Sequence, residues 1–208
     1  MAQFFSIHPD HPQGRLIRQA VEIIRDGGLV AIPTDSAYAL GGQVGNADLL
    51  ERIRRIRAVD ERHHFTLLCR DLSELGTYAR VDNAQYRLLK AATPGAYTFI
   101  LLGTRELPRR LLHPKRKTIG LRIPDHAITA ALLAELGEPM LSSTLILPGD
   151  ELPLTDPQEI RDRLERAVDL VIDGGPCGAL ATTVVDLSGG TPEVVRHGCG
   201  PLAALGLE

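Results

Sequence analysis

The chain has 208 residues, of which 44% are hydrophobic and 24% charged, and its formal net charge is −3 at pH 7. These values are typical of a soluble globular protein, and they exclude long disorder, a collagen-like chain and a coiled coil. No apolar run approaches the roughly 18 residues of a membrane span, so the sequence predicts no membrane partner.

Helices and buried strands alternate in the first half of the chain, and strands cluster in the second half. Capping residues and apolar residues at helical spacing predict helices at residues 10–27, 46–56 and 126–136, with further helices after Asp71, Asp82 and Asp156. Apolar or β-branched runs predict strands at residues 29–32, 65–69, 97–102, 118–123, 140–147, 168–172, 182–187 and 193–196. This order predicts one α/β (α+β) domain over residues 1–208, built on a mixed sheet.

The charges are distributed unevenly along the chain. Residues 51–122 hold 16 basic and 7 acidic residues, whereas the rest of the chain holds 7 basic and 19 acidic ones. The basic middle segment favours an anionic ligand such as a phosphate, a nucleotide or an RNA backbone. A solvated surface whose charges mix in three dimensions is the alternative.

Small and hydroxyl-bearing residues follow the first predicted strand. Thr34 and Ser36 come directly after it, and the glycine pair Gly41-Gly42 ends the segment. The carboxyl end of a buried strand is a common ligand site, and short side chains let the backbone approach a ligand. An ordinary Ser/Thr turn between strand and helix is the alternative.

Two arginines are placed where a guanidinium needs a partner. Arg57 lies near the apolar stripe of its helix, which favours a cleft, although a last-turn cation also complements the helix dipole. Arg122 alternates with apolar residues on its strand, which indicates either a cavity or a buried ion pair. Thr182, Thr183 and Arg196 are further polar groups near predicted strand ends.

Residues 109–117, the basic loop, carry five cations around a proline. The loop is predicted either to clamp RNA or a polyphosphate or simply to be solvated. His63-His64 lacks a third ligand at zinc spacing, and the three distant cysteines predict free thiols in a reducing cytoplasm. No hydrolase triad, phosphate loop or dinucleotide fingerprint stands out, so an enzyme of this sequence would work by orienting and neutralising anions.

Five segments carry a family resemblance: PTDSAYALG at residues 33–41, TPGAYTFIL at 93–101, TIGLRIP at 118–124, TTVVD at 182–186 and VRHG at 195–198. Together they resemble the YrdC/YciO family, whose best-known members are threonylcarbamoyl-AMP synthases. Residues 4–10 and 65–72 look most like the YciO branch.

The resemblance implies a twisted mixed sheet with flanking helices and a large, positively charged cavity. It also implies a tRNA-modification activity that makes threonylcarbamoyl-AMP from threonine, bicarbonate and ATP with Mg²⁺, or a divergent relative acting on a similar adenylate. Binding of double-stranded RNA or tRNA without turnover is the alternative. The residues implied for the threonine-like substrate are Thr34, Arg122 and Thr182, and those implied for the nucleotide, ATP or AMP, are Arg57, Thr118, Thr144 and Arg196; no metal ligand is implied.

Two motifs differ from the synthase pattern. Synthases carry Lys-x-Arg where this chain has Arg57-Ala58-Val59, so the second cation is replaced by an apolar residue. They carry Ser-x-Asn where this chain has Thr144-Leu145-Ile146, so the hydroxyl is kept and the amide is lost.

Overall fold

Ten strands form one mixed sheet in the computed structural model, which describes residues 1–207. The strands are β1 (Gln3–Ser6), β2 (Val30–Ile32), β3 (Ala39–Gln43), β4 (Thr66–Leu68), β5 (Tyr97–Leu102), β6 (Thr118–Arg122), β7 (Met140–Thr144), β8 (Leu170–Asp173), β9 (Thr183–Asp186) and β10 (Glu193–Arg196). Across the sheet they lie in the order β1-β8-β2-β3-β7-β4-β6-β5-β9-β10, with parallel and antiparallel neighbours. The mixed α/β fold predicted from the sequence is confirmed.

Six α-helices pack on the sheet within residues 1–207: α1 (Gly14–Arg25), α2 (Ala47–Arg57), α3 (Leu72–Tyr78), α4 (Asn83–Ala92), α5 (Ala127–Leu136) and α6 (Pro157–Leu164). The predicted side-chain caps of four helices are present. Asn46 caps α2, Asp71 caps α3, Asp82 caps α4 and Asp156 caps α6. None of the helices in this range combines the length and hydropathy that a membrane span needs.

Helix α1 begins later than predicted. Residues 10–13 lie outside it, and Gln13 precedes its first residue without a side-chain cap. The ring Nδ1 of His8 instead accepts hydrogen bonds from the backbone N–H groups of Asp10 and His11, at 3.2 and 3.1 Å. These bonds hold residues 8–11 in a turn, and Asp10 does not cap the helix.

The glycine pair lies inside a strand that the sequence pattern did not predict. Gly41 and Gly42 belong to β3, which pairs with β2 and β7. A Cβ on Gly42 would collide with the Leu49 side chain of α2 and would lie 3.0 Å from the Gly28 carbonyl oxygen. The glycines therefore permit close packing of helix on strand, and the interpretation of this pair as the end of a ligand loop is wrong.

Two apolar layers lie on opposite faces of the sheet. One contains buried residues of α1 and α5, among them Ile24 and Leu132, which cover β2, β8 and part of β7. The other contains buried residues of α2, α4 and α6, among them Ile53 and Ile160. On β6, β5 and β9, a cavity lies above residues that are small, polar or β-branched, such as Gly120, Thr98 and Val184.

Candidate functional site

A cavity of about 500 Å³ opens above strands β4, β6, β5 and β9. Short side chains form its floor: Thr66, Gly120 and Thr98 on the first three strands, and Thr182 immediately before β9. Within residues 1–207, no Asp or Glu belongs to the lining. Its ionisable residues are all basic: Arg57, Arg62, His63, His64 and Arg196. A concave site lined by one sign of charge concentrates ligands of the opposite sign, in this case anions.

Apolar side chains complete the lining. Ile100, Val184 and Val195 lie on the neighbouring strands β5, β9 and β10, and Ile146 follows β7. An apolar surface with a few convergent polar groups is the usual composition of a site for a small organic molecule. The cavity therefore suits a ligand that has both an apolar part and a strongly anionic part.

Arg57 connects the last turn of α2 to the end of β7. Its Nη1 donates to the Ser143 hydroxyl at 2.7 Å and lies 3.1 Å from Nε2 of His63, and its Nε donates to the Ile146 carbonyl oxygen at 3.3 Å. Burial lowers the pKa of Arg57, and the positive charge of Arg196 lowers it further. Of the two interpretations left open by the sequence, the structure therefore shows the cleft.

His63 contacts both Arg57 and the Ser143 hydroxyl, and its Nε2 lies 3.2 Å from Ser143 Oγ. Burial lowers the pKa of His63 to about 4, and the neighbouring Arg57 contributes in the same direction. The ring is therefore neutral at pH 7, and its Nε2 can accept a hydrogen bond from Arg57. The sequence pattern offers this histidine only as a metal ligand and gives no signal for Ser143, since neither residue stands in a recognisable motif.

Arg196 also lines the cavity, where it is bonded to Thr182 of the floor. Arg196 donates from Nε and Nη2 to the Thr182 carbonyl oxygen, at 3.1 and 2.9 Å. The Thr182 hydroxyl lies 2.8 Å from that of Thr98, and both residues are buried. The Nη1 of Arg196 has no hydrogen-bond partner among residues 1–207, which leaves this donor available to a ligand.

Thr118 lies beneath the cavity rather than in its lining. It is fully buried, and its hydroxyl lies 3.3 Å from Nε2 of His64. His64 in turn stacks on His113 of the basic loop, with ring centroids 4.8 Å apart. Burial lowers the pKa of His64, and His113 and Arg116 contribute in the same direction.

A second polar cluster lies around Arg122, two residues beyond Gly120 on the same face of β6. Arg122 donates to the Asp35 carboxylate and, at 3.3 Å, to the Thr34 hydroxyl. Burial lowers the pKa of Arg122, and the Asp35 carboxylate opposes this shift. We call Thr34, Asp35 and Arg122 the buried ion-pair cluster.

The structure gathers four of the seven predicted site residues in the lining of one cavity: Arg57, Thr144, Thr182 and Arg196. Thr34, Arg122 and Thr118 are not in that lining, and the sharing of one hollow by Arg122, Thr34 and the other arginines stays a prediction. Arg122 pairs with Asp35 inside the protein. The cysteines differ among themselves: Cys69 is fully buried, whereas Cys177 and Cys199 are partly exposed.

Three of the five cations of the basic loop bond within the chain. Arg110 donates to the Gly45 carbonyl oxygen, Lys117 to that of Pro114 and Arg116 to the Asp186 carboxylate. The stacking of His113 on His64 holds the loop beside the cavity. Only Arg116 is paired with a carboxylate, since the carbonyl contacts of Arg110 and Lys117 leave their charges uncompensated.

Comparison with known proteins identifies the family. The family model Sua5_yciO_yrdC, described as Telomere recombination, matches residues 22–198. The chain belongs to the Sua5/YciO/YrdC family. It is 60% identical over 200 residues to YciO of Escherichia coli (strain K12), which covers 96% of this chain and 97% of that protein. It is 31% identical over 191 residues to the threonylcarbamoyl-AMP synthase of Bos taurus, which covers 88% of this chain and 68% of the synthase.

Solved structures of the Sua5/YciO/YrdC family share this fold. The crystal structure of Escherichia coli YciO has a TM-score of 0.96 at 59% identity and covers 99% of this chain and 100% of that chain. P. abyssi Sua5 complexed with L-threonine has a TM-score of 0.89 at 23% identity and covers 98% of this chain and 61% of that chain. The predicted family is confirmed, and the high identity to YciO agrees with the predicted branch.

Proposed function

We propose that this protein binds ATP in the basic cavity and forms an adenylate from threonine and bicarbonate, as its relatives named threonylcarbamoyl-AMP synthases do. The observation that carries the proposal is the cavity lining, in which three arginines and two histidines face an apolar wall without a carboxylate among residues 1–207. An adenine nucleotide offers the matching combination of a flat apolar base and a phosphate chain.

The chemistry needs no reactive protein side chain. The threonine amine adds to bicarbonate with loss of water, and an oxygen of the resulting carbamate attacks the α-phosphorus of ATP. The bond from the α-phosphorus to the bridging oxygen breaks, and pyrophosphate leaves with the electron pair. Arg57 and Arg196 would neutralise the charge that builds on the phosphates, which is catalysis by positioning and electrostatics.

Two groups of polar residues would bind the two reactants, one the nucleotide and the other the threonine. Thr144, Arg57 and Arg196 would hold the nucleotide, with Thr118 supporting His64 beneath it. Thr182 and the buried ion-pair cluster would hold the threonine end, in line with the L-threonine complex of P. abyssi Sua5, which shares the fold. The protein would act in the cytoplasm, where these reactants and tRNA occur together.

Magnesium would enter with the nucleotide. The cavity lining within residues 1–207 contains no carboxylate, and this part of the chain holds no group of three His, Cys, Asp or Glu residues suited to a metal ion. Mg²⁺ prefers oxygen ligands and commonly binds nucleotide phosphates with few protein groups. The residues present therefore fit a Mg–ATP complex but not a metal site formed by the protein itself.

The proposal is tested by incubating the protein with ATP, Mg²⁺, L-threonine and bicarbonate and measuring pyrophosphate and threonylcarbamoyl-AMP. Arg57→Ala should abolish most of the product, whereas Arg55→Ala, which removes an exposed arginine of the same helix, should behave like the wild type. A wild-type protein that forms no pyrophosphate and binds no ATP would overturn the proposal. Double-stranded RNA binding has no comparable support, because the relative with a named activity is a threonylcarbamoyl-AMP synthase and the cavity is of small-molecule size.

A further inference from the structure

The three arginines of the cavity differ in how many of their donors are already used. Arg57 bonds to the Ser143 hydroxyl and the Ile146 carbonyl oxygen, and Arg196 bonds twice to the Thr182 carbonyl oxygen. The guanidinium of Arg62 makes no hydrogen bond or ion pair with any of residues 1–207, although it belongs to the cavity lining. All five of its N–H donors are therefore available.

Arg62 also differs from Arg57 in position. Arg62 is exposed in the segment between α2 and β4, as Arg196 is on β10, whereas Arg57 is partly buried by its contacts with protein groups. Arg62 thus lies at the mouth of the cavity, and the buried hydroxyls of Thr98 and Thr182 mark its inner end.

The two histidines of the lining do not supply positive charge at neutral pH. Burial lowers the pKa of His63 to about 4 and also lowers that of His64. Arg57, Arg62 and Arg196 are therefore the cations that a ligand meets in this lining at pH 7.

We propose that Arg62 binds the β- and γ-phosphates of ATP at the cavity mouth and stabilises the pyrophosphate that leaves. This inference rests on the proposed function, in which the α-phosphate reacts near the threonine end. The leaving phosphates must depart to solvent, so they lie on the mouth side, where Arg62 is the cation whose five donors are all free within residues 1–207. A guanidinium can bind two phosphate oxygens at once, which suits it to this role.

Loss of Arg62 should lower the affinity for ligands that carry the β- and γ-phosphates, but not for AMP. Arg62→Ala should weaken the binding of Mg–ATP and of pyrophosphate by about tenfold or more, because a charge-assisted hydrogen bond is lost. The same variant should bind AMP within about twofold of the wild type. Isothermal titration calorimetry with these three ligands measures the difference, and Arg62→Lys should show an intermediate loss.

The matched control is Arg55→Ala, which removes the same charge from an exposed position that does not line the cavity. Its affinities for ATP, pyrophosphate and AMP should all remain within about twofold of the wild type. Equal ATP and pyrophosphate affinities in Arg62→Ala and Arg55→Ala, in a protein that still turns over ATP, would overturn this inference alone. A wild type that binds neither ATP nor AMP would overturn both this inference and the proposed function.

Discussion

The guanidinium of Arg122 donates a hydrogen bond to the carboxylate of Asp35 inside the protein, where the two side chains are only 7% and 13% exposed. One Arg122 nitrogen, Nε, and one Asp35 oxygen, Oδ2, are buried without a hydrogen-bond partner within residues 1–207. The pair balances its charges but leaves polar atoms unsatisfied beside the cavity.

Asp35→Asn should destabilise the protein strongly. The variant leaves the Arg122 charge buried without a counter-charge, and loss of one partner of a buried ion pair costs about 3–5 kcal/mol. Urea unfolding at pH 7 measures the change. Arg70→Ala is the control, because it removes an exposed pair in which Arg70 and Asp71 are 47% and 50% exposed; it should cost at most about 1 kcal/mol. Equal losses in the two variants would contradict the prediction.

Ile146→Asn should increase the rate of pyrophosphate formation. Ile146 lines the cavity beside Arg57, which donates to its carbonyl oxygen. Because its side chain faces the ligand space, an amide at this position would offer a ligand an additional hydrogen bond. A hydrogen bond to a charged group contributes about 1.5–3 kcal/mol, which corresponds to roughly a tenfold change or more. Steady-state assays with threonine, bicarbonate and ATP measure it. Ile146→Leu keeps the wall apolar and should show no gain; a gain equal to that of the Asn variant would refute the explanation.

His63 should make the folded state less stable as the pH falls. Burial and Arg57 lower the pKa of His63 to about 4 in the folded state. His63 of the unfolded chain is therefore protonated below about pH 6.5, whereas in the folded protein it stays neutral until about pH 4. The stability that the neutral ring contributes is present above pH 6.5 and is lost between pH 6.5 and 4. The ring is partly solvated, which reduces the expected loss to about 1–2 kcal/mol.

His63→Asn removes this titration and leaves the other histidines unchanged. The stability of the wild type relative to the variant, from urea unfolding, should therefore fall between pH 7 and pH 4.5. A difference that stays constant over this range would show that His63 titrates alike in the folded and unfolded states.

Gly198→Ala should disturb both stability and the cavity wall. A Cβ at Gly198 would collide with the backbone of Ala181 and Thr182, and the Thr182 carbonyl oxygen accepts from Arg196. Forced repacking of this kind costs about 1–3 kcal/mol. The matched control is Gly190→Ala, where no atom lies within 4 Å of the added Cβ, and it should change stability by at most about 0.5 kcal/mol. Thermal unfolding and ATP titration of both variants measure the difference.

The sequence by itself determined the local elements and the family. Asn46, Asp71, Asp82 and Asp156 cap the predicted helices because each cap bonds to N–H groups two or three residues away. The apolar run of β5 predicted that strand at its observed bounds, since a side chain's preference for the interior depends on its own chemistry. The β-branched pair Val194-Val195 predicted β10 at its bounds, although this edge strand is mostly exposed. The five sequence motifs, in their order along the chain, were sufficient to predict the family.

Only the tertiary structure decided which polar groups meet. Arg122 and Asp35 are 87 residues apart in the chain, and His63 and Ser143 are 80 apart. Their contacts depend on the order and pairing of ten strands, and on the placement of the loops between them, which periodicity does not encode. The same holds for β1 and β3, because their short or glycine-rich sequences become strands only through hydrogen bonds to β8, β2 and β7.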